Sequence, residues 1–153
     1  MKLYIGIDPG AVSGAWGIVD HNGKYWSCGD IPNDHGRIKA KQFRAELSQS
    51  IDQQDAVIVI ESVHSMPNQG VASTFKFGRA VGAIEAVCES FFGTWFVVVP
   101  QRWKKDTGLT AEKDSALQLA RQKFPNAPLG LKKDHNKAEA LLLAEWLRGQ
   151  DEI

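Results

Sequence analysis

Two short stretches of the chain are apolar almost throughout, and each ends in an acid. YIGI is followed by Asp8, and AVIVI is followed by Glu61. Runs of this length that are rich in β-branched residues are typical of strands buried on both faces of a sheet, which helices must then cover. A carboxylate at the end of a buried strand costs free energy unless a partner stabilises it. The two runs therefore predict a layered α/β fold and a binding partner for each acid.

The remaining pattern predicts the order of the elements. Strands at 2–8, 14–20 and 25–31 form an antiparallel meander, with the Asn-Gly hairpin signal in HNGK between the last two. Further strands are predicted at 56–60 and 94–99, the latter buried and stopped by Pro100. Helices are predicted at 34–50, 70–92, 110–123 (Thr110 as N-cap) and 137–149 (closed by Gly149). We expect one domain over 1–153, with a mixed five-stranded sheet of three antiparallel strands and then parallel strands, flanked by helices.

Composition narrows the class of protein. A chain of 153 residues fits one domain, and no apolar run approaches the roughly 20 residues of a membrane span. The start, MKLYIGID, has no signal-peptide core, so no membrane association is expected. Cys28 and Cys88 lie far apart in the sequence and lack metal-ligand spacing. This favours buried or unused thiols of a reduced cytosolic protein. We expect a cytoplasmic protein of a bacterium or of a phage-infected cell.

The charge is balanced overall but uneven along the chain. Lysine plus arginine and aspartate plus glutamate each number 18. Between Arg102 and Lys137 there are nine basic and four acidic residues, a net charge of +5. Such a segment is either a phosphate-binding face or ordinary solvated surface.

The acids at the two strand ends indicate a metal site. If the strands are neighbours, Asp8 and Glu61 meet at one edge of the sheet, where like charges repel unless a cation lies between them. Hard divalent ions such as Mg²⁺ or Mn²⁺ prefer oxygen ligands of this kind. The alternatives are a turn-capping role for Asp8 before Pro9 and Gly10, and a solvated strand end for Glu61.

The last predicted helix brings further candidates. Glu139 lies within an apolar face, and His135, four residues earlier, lies on the same side of the helix. Asp134 is about 140° round the helix from Glu139, which suits an N-cap better than a shared ligand sphere. His135 is either part of the site or a polar surface residue.

Taken together, IGIDPG, IVIES, VPQRWKK and DHNKAEALLLAEW resemble the RuvC Holliday junction resolvases of the ribonuclease H-like superfamily. The resemblance covers nearly the whole chain in the same order of elements. It implies that Asp8, Glu61 and Glu139 are catalytic metal ligands for Mg²⁺, with Mn²⁺ as a substitute. The family usually has Asp at the last position. The fourth ligand is ambiguous, because Asn136 has the family spacing while Asp134 and His135 are the plausible substitutes.

The resemblance also implies a reaction and partners. One ion would activate a water for attack on phosphorus and a second would stabilise the leaving oxygen, with Asp8 bridging them and His135 assisting proton transfer. Branched DNA, a four-way junction, would be the substrate of a two-fold homodimer. Met66, Phe75 and Phe77, in or after a mobile loop, would be candidates for junction opening or dimer contacts, and Trp103 for base stacking or for the core edge. The DNA-contacting candidates are Lys76, Arg79, Arg102, Lys104, Lys105 and Lys113.

Other functions remain open from the sequence. Actin-like and sugar-kinase ATPases share an acid-plus-glycine turn but need two lobes, and no GxxxxGK[ST] loop is present, so we expect no nucleotide cofactor. A related nuclease could act on other branched DNA or on RNA–DNA hybrids. A catalytically inactive nucleic-acid-binding module is the third alternative.

Overall fold

The computed structural model describes residues 1–10, 13–63, 67–91, 94–110, 112 and 114–151. The strands are β1 (Lys2–Asp8), β2 (Ala15–Val19), β3 (Tyr25–Asp30), β4 (Asn33–Asp34), β5 (Arg37–Ile38), β6 (Asp55–Glu61) and β7 (Trp95–Val98). The helices are α1 (Ala40–Ile51), α2 (Val71–Glu89), α3 (Pro100–Thr107), α4 (Asp114–Lys123) and α5 (His135–Asp151). A short 3₁₀ turn, Lys132–Asp134, precedes α5.

The main sheet has five strands in the order β3-β2-β1-β6-β7. The β1–β2 and β2–β3 pairs are antiparallel, and the β1–β6 and β6–β7 pairs are parallel. This confirms the predicted mixed sheet of three antiparallel strands followed by parallel strands. Since β1 is central and parallel to β6, both strands end at the same edge of the sheet.

The side chains of each strand point alternately to the two faces of the sheet, so the core has two layers. Leu3, Ile5 and Ile7 of β1 pack in the layer that contains buried residues of α1 and α2. Tyr4 of β1 belongs to the opposite layer, which contains buried residues of α4 and α5. Successive side chains of a strand point to opposite faces, so Asp8, four residues after Tyr4, lies on the α5 face.

Two glycines let α5 lie directly on the sheet. Gly6 of β1 pairs with Gly17 of β2, and a methyl group on Gly6 would stand 2.3 Å from the carbonyl oxygen of Ala140. A methyl group on Gly17 would stand 2.7 Å from the backbone nitrogen of Leu141. The paired glycines therefore form the contact surface on which α5 lies.

The first helix is shorter than predicted, because 33–38 form a hairpin. β4 and β5 pair through a two-residue turn in which His35 has φ 50° and Gly36 has φ 87°. Positive φ at both central positions is the geometry of the tight hairpin turns that glycine favours. The prediction of helix from residue 34 is therefore wrong, and α1 begins at Ala40.

An additional helix follows the last strand. α3 has Pro100 at its start and Gly108, with φ 76°, just beyond its end. These are ordinary start and stop signals that the prediction of a long helix from Thr110 did not use. Thr110 instead accepts the backbone N–H of Glu112 at 3.3 Å, in the turn before α4, so it is not an N-cap.

Three smaller differences concern strand and helix ends. α2 ends at Glu89, three residues earlier than predicted. α5 continues past Gly149, where Asp151 accepts the Tyr4 hydroxyl at 2.6 Å and pairs with Lys2. β7 is an edge strand, not a buried one, because Phe96 and Val97 are about half exposed. No helix among the described ranges has both the length and the apolarity needed to cross a membrane.

Candidate active site

Asp8 and Glu61 lie side by side at the carboxyl edge of the sheet. Ile7 pairs with Ile60 in the parallel β1–β6 ladder, so the next residue of each strand is Asp8 and Glu61. Both are buried, at 4% and 7% exposed. Because Val59 packs in the same layer as α5, Glu61 also points to the α5 face. The structure thus brings together the two strand-end acids.

Glu139 reaches this edge from α5. It lies one residue before Ala140, whose backbone contacts the Gly6 position of β1. It is close enough to Asp8 to raise the pKa of that acid. Three acids from three separate elements therefore meet at one end of β1.

This convergence changes the acidity of Asp8. Burial raises the pKa of Asp8 well above its usual value, and the charge of Glu61 and then the contact with Glu139 raise it further. The N–H of Gly10, which donates to Asp8 Oδ1 at 2.9 Å, opposes the shift. Asp8 therefore has the turn contact expected of the alternative interpretation while also facing the two other acids.

Glu61 is held by a residue of α3. Trp103 is fully buried and donates its indole N–H to Glu61 Oε2 at 2.7 Å. Burial raises the pKa of Glu61, while the Trp103 hydrogen bond and the Lys104 charge lower it and the Glu139 charge raises it. In this conformation Trp103 belongs to the core and is closed off from a DNA base.

Lys104 supplies positive charge among these acids. Its ammonium lies 3.2 Å from Glu139 Oε1, with the side chain about one third exposed. Burial opposes the charged form, but Glu139, Glu61 and Asp8 outweigh it and raise the pKa of Lys104. The ammonium group therefore stays charged and offsets part of the repulsion between the acids.

The candidates for the fourth ligand have different surroundings. His135 Nε2 lies 3.7 Å from Glu139 Oε1. Asp134 is buried, accepts the Leu131 N–H at 2.8 Å and lies 3.5 Å from the Lys137 ammonium. The Leu131 contact is the one that the third residue of a helical turn makes back to the cap residue, and the role of Asp134 as a metal ligand stays a prediction.

Asn136, the residue at the family spacing, uses its side chain elsewhere. Its amide donates to the carbonyl oxygen of Ser13 at 3.2 Å, which ties the start of α5 to the turn after β1. Of the three candidates, His135 is the one that contacts a member of the acid cluster.

The chemistry of this cluster fits a hard divalent cation. Its potential donors are carboxylate oxygens, the ligands that Mg²⁺ and Mn²⁺ prefer. Burial, followed by the neighbouring Glu61 and Glu139, raises the pKa of Asp8. Within the described part of the chain, no three His, Cys, Asp or Glu side chains are already arranged to hold a metal ion. Glu139 is paired with the Lys104 ammonium, whereas Glu61 uses its Oε2 to accept the Trp103 N–H. We expect metal binding at this cluster to require Glu139 to exchange its Lys104 contact for the cation.

The predicted DNA-contacting residues lie on α2 and α3. Lys76 is exposed and lines a cavity of about 420 Å³ beside Gly10, on the turn after Asp8. Arg79 lies over the Phe75 ring at 5.7 Å, and Arg102 lies over the Trp146 ring at 5.4 Å. Lys105 is exposed on α3, and Lys113 lies outside the described residues.

Two of the proposed dimer or junction-opening residues are described. Phe75 is 67% exposed, and Phe77 is half-buried beside Lys76. Met66, in the predicted mobile loop, lies outside the described residues.

Sequence reasoning missed how α3 contributes to the acid cluster. Lys104 was predicted to contact DNA, and Trp103 was assigned to stacking or the core edge. Neither was expected to bond a carboxylate of the site. The helix signals at Pro100 and Gly108 could have shown that consecutive residues of one short helix would face the strand ends.

Comparisons with solved structures agree with this architecture. RuvC of Thermus thermophilus in complex with a Holliday junction substrate is similar, with a TM-score of 0.72 and 15% identity over 98% of this chain and 96% of that one. Another structure of Thermus thermophilus RuvC has a TM-score of 0.69 and 18% identity, over 98% of this chain and 96% of that one. The yeast mitochondrial Holliday junction resolvase Ydc2 gives 0.54 and 14%, over 97% of this chain and 78% of that one.

Sequence comparison gives a shorter match. The chloroplastic Holliday junction resolvase MOC1 of Chlamydomonas reinhardtii is 47% identical over 53 residues, 32% of this chain. The matched part is only 6% of the length of that relative. No family model matches the chain. What these comparisons establish is the fold, which is that of RuvC: a mixed five-stranded sheet flanked by helices.

Proposed function

We propose that this protein is a metal-dependent endonuclease that resolves four-way DNA junctions by symmetrical phosphodiester hydrolysis. The observation that carries the proposal is the convergence of Asp8, Glu61 and Glu139 at one edge of a RuvC-type sheet. The names of the similar proteins support the substrate, since each is a RuvC or a Holliday junction resolvase.

The three acids would hold Mg²⁺, or Mn²⁺ in its place. Such ions, when bound, activate water and stabilise the leaving oxygen of an in-line displacement. Asp8, as the central acid, would contribute to both ion positions. His135 Nε2, close to Glu139, is placed to accept or donate a proton at the edge of the site, with Asp134 kept as a further predicted ligand.

Basic side chains around the acids would bind the DNA backbone. Lys76 and Arg79 on α2, and Arg102 and Lys105 on α3, are exposed. Lys104 borders the acids and would approach the phosphate nearest to the metals. Such contacts give salt-dependent affinity and not base recognition.

Symmetrical cutting requires two active sites, so we propose a two-fold homodimer. The exposed Val71 and Phe75 on α2 would supply apolar contact surface. The compartment also stays a prediction, because we expect a bacterial or phage-infected cytoplasm while the MOC1 relative is named chloroplastic.

The test is cleavage of a labelled synthetic four-way junction, beside a linear duplex and an RNA–DNA hybrid of matched sequence, with Mg²⁺ or EDTA. Paired symmetrical nicks that require metal, prefer the junction and vanish in Asp8→Asn would support the proposal. Equal or better cutting of the hybrid would assign the protein to another nuclease activity. Junction binding without any cutting would indicate an inactive binding module.

A further inference from the structure

Trp103 of α3 holds one of the three acids through a neutral group, its indole N–H. Its N–H donates to Glu61 Oε2 at 2.7 Å, and the ring is fully buried. The neighbouring Lys104 contacts Glu139 instead. Consecutive residues of α3 thus hold acids that belong to β6 and α5.

The character of this donor matters for how Glu61 is held. An indole N–H can only donate, so Glu61 Oε2 must accept in this bond, and the donor carries no charge. A lysine in the same place could also donate, but its positive charge would compete with a cation for the site.

The surroundings of Trp103 make the hydrogen bond rigid. The ring belongs to the core layer that includes Val98, Leu117 and Leu142. Its backbone carbonyl accepts the Thr107 hydroxyl at 2.7 Å, within α3. A buried glutamate beside two other acids would otherwise relieve repulsion by rotating away, so a fixed donor selects one rotamer.

We propose that Trp103 is a positioning residue, whose indole N–H holds Glu61 as a pre-oriented ligand for a divalent cation. The inference rests on the proposed metal site and goes beyond it, since Trp103 itself touches neither metal nor substrate. Groups that orient metal ligands in this way typically contribute about 10–100-fold to metal affinity.

The test replaces the N–H without changing the ring shape. Trp103→3-benzothienylalanine puts sulfur in place of the indole nitrogen and keeps the two fused rings. Trp26→3-benzothienylalanine is the matched control, because the Trp26 N–H also makes a partly buried hydrogen bond, to the carbonyl oxygen of Ser50 at 2.6 Å. That bond joins β3 to α1, and neither element carries one of the three acids. Thermal unfolding of each variant establishes that it is folded.

The first readout is Mn²⁺ binding to the full chain without DNA. Binding is measured as the decrease in the electron paramagnetic resonance signal of the free ion. We expect the Trp103 variant to bind Mn²⁺ about 10-fold more weakly and the Trp26 variant to match the unmodified protein. Unchanged Mn²⁺ affinity in a folded Trp103 variant would overturn the inference, as would absence of Mn²⁺ binding by the unmodified protein.

The second readout is junction cleavage against Mn²⁺ concentration. We expect the Trp103 variant to need more Mn²⁺ but to regain most of its rate at saturation, which a merely structural defect would not allow. If the unmodified protein binds Mn²⁺ yet cuts no junction, the proposed function fails, while the binding comparison still decides the role of Trp103.

Discussion

Gly6→Ala should displace α5 from the sheet and take Glu139 with it. The new methyl group would stand 2.3 Å from the Ala140 oxygen, 2.6 Å from the Ala144 nitrogen and 3.0 Å from the Leu143 Cβ. Two of these three atoms belong to helix backbone, which cannot rotate aside as a flexible side chain can. Ordinary contact distances require α5 to move by about 1 Å.

The cost follows from that displacement. Overpacking a well-packed core costs about 1–3 kcal/mol, and a backbone clash belongs at the upper end, near 3 kcal/mol. For a chain of this size 1 kcal/mol lowers Tm by roughly 2–4 °C, so we expect a drop of about 6–12 °C. A misplacement of 1 Å at a catalytic carboxylate can cost about 100-fold in rate, so junction cleavage should fall by that factor at a temperature where the variant is folded.

The assay is thermal unfolding, followed by metal-dependent cleavage of the four-way junction. Gly149→Ala is the control, because Gly149 lies in the same helix and a methyl group there meets nothing within 4 Å. It should leave Tm unchanged or raise it slightly, because alanine has a higher helix propensity than glycine, by up to about 1 kcal/mol in the free energy of unfolding. If Gly6→Ala keeps both the Tm and the cleavage rate, the argument that α5 depends on this close approach is refuted.

Three further predictions concern charge. Because burial, Glu61 and Glu139 raise the folded-state pKa of Asp8, its contribution to the stability of the metal-free protein should be fully present below about pH 4 and be lost as pH rises through the raised pKa. In EDTA, Asp8→Asn should remove this part of the dependence of Tm on pH. Mg²⁺ at 100 times its Kd should stabilise the wild type by about 2.7 kcal/mol near neutral pH and leave Asp8→Asn almost unaffected, as calorimetry can check. Lys105→Ala should weaken junction binding and reduce the salt slope by about 1, whereas Lys24→Ala, at the opposite end of the sheet, should not.

The sequence predicted the sheet well because the signal for each strand is local. β1 and β6 were placed within one residue of their observed bounds, and the Asn-Gly turn joined β2 to β3 as expected. The hairpin at 33–38 was missed because a two-residue turn with positive φ at His35 and Gly36 has no helical or strand periodicity to detect. β7 was predicted to be buried because an apolar run does not reveal that its strand lies at a sheet edge.

By itself, the sequence determined that Asp8 and Glu61 end two buried strands, and the period of two then put both on one face of the sheet. It did not determine what reaches them there. Glu139 arrives because α5 lies on Gly6 and Gly17, and Trp103 and Lys104 arrive because α3 folds back over the strand ends. Such approaches depend on packing between elements distant in sequence, which local periodicity does not encode, and so only the tertiary structure decided which groups hold the acids.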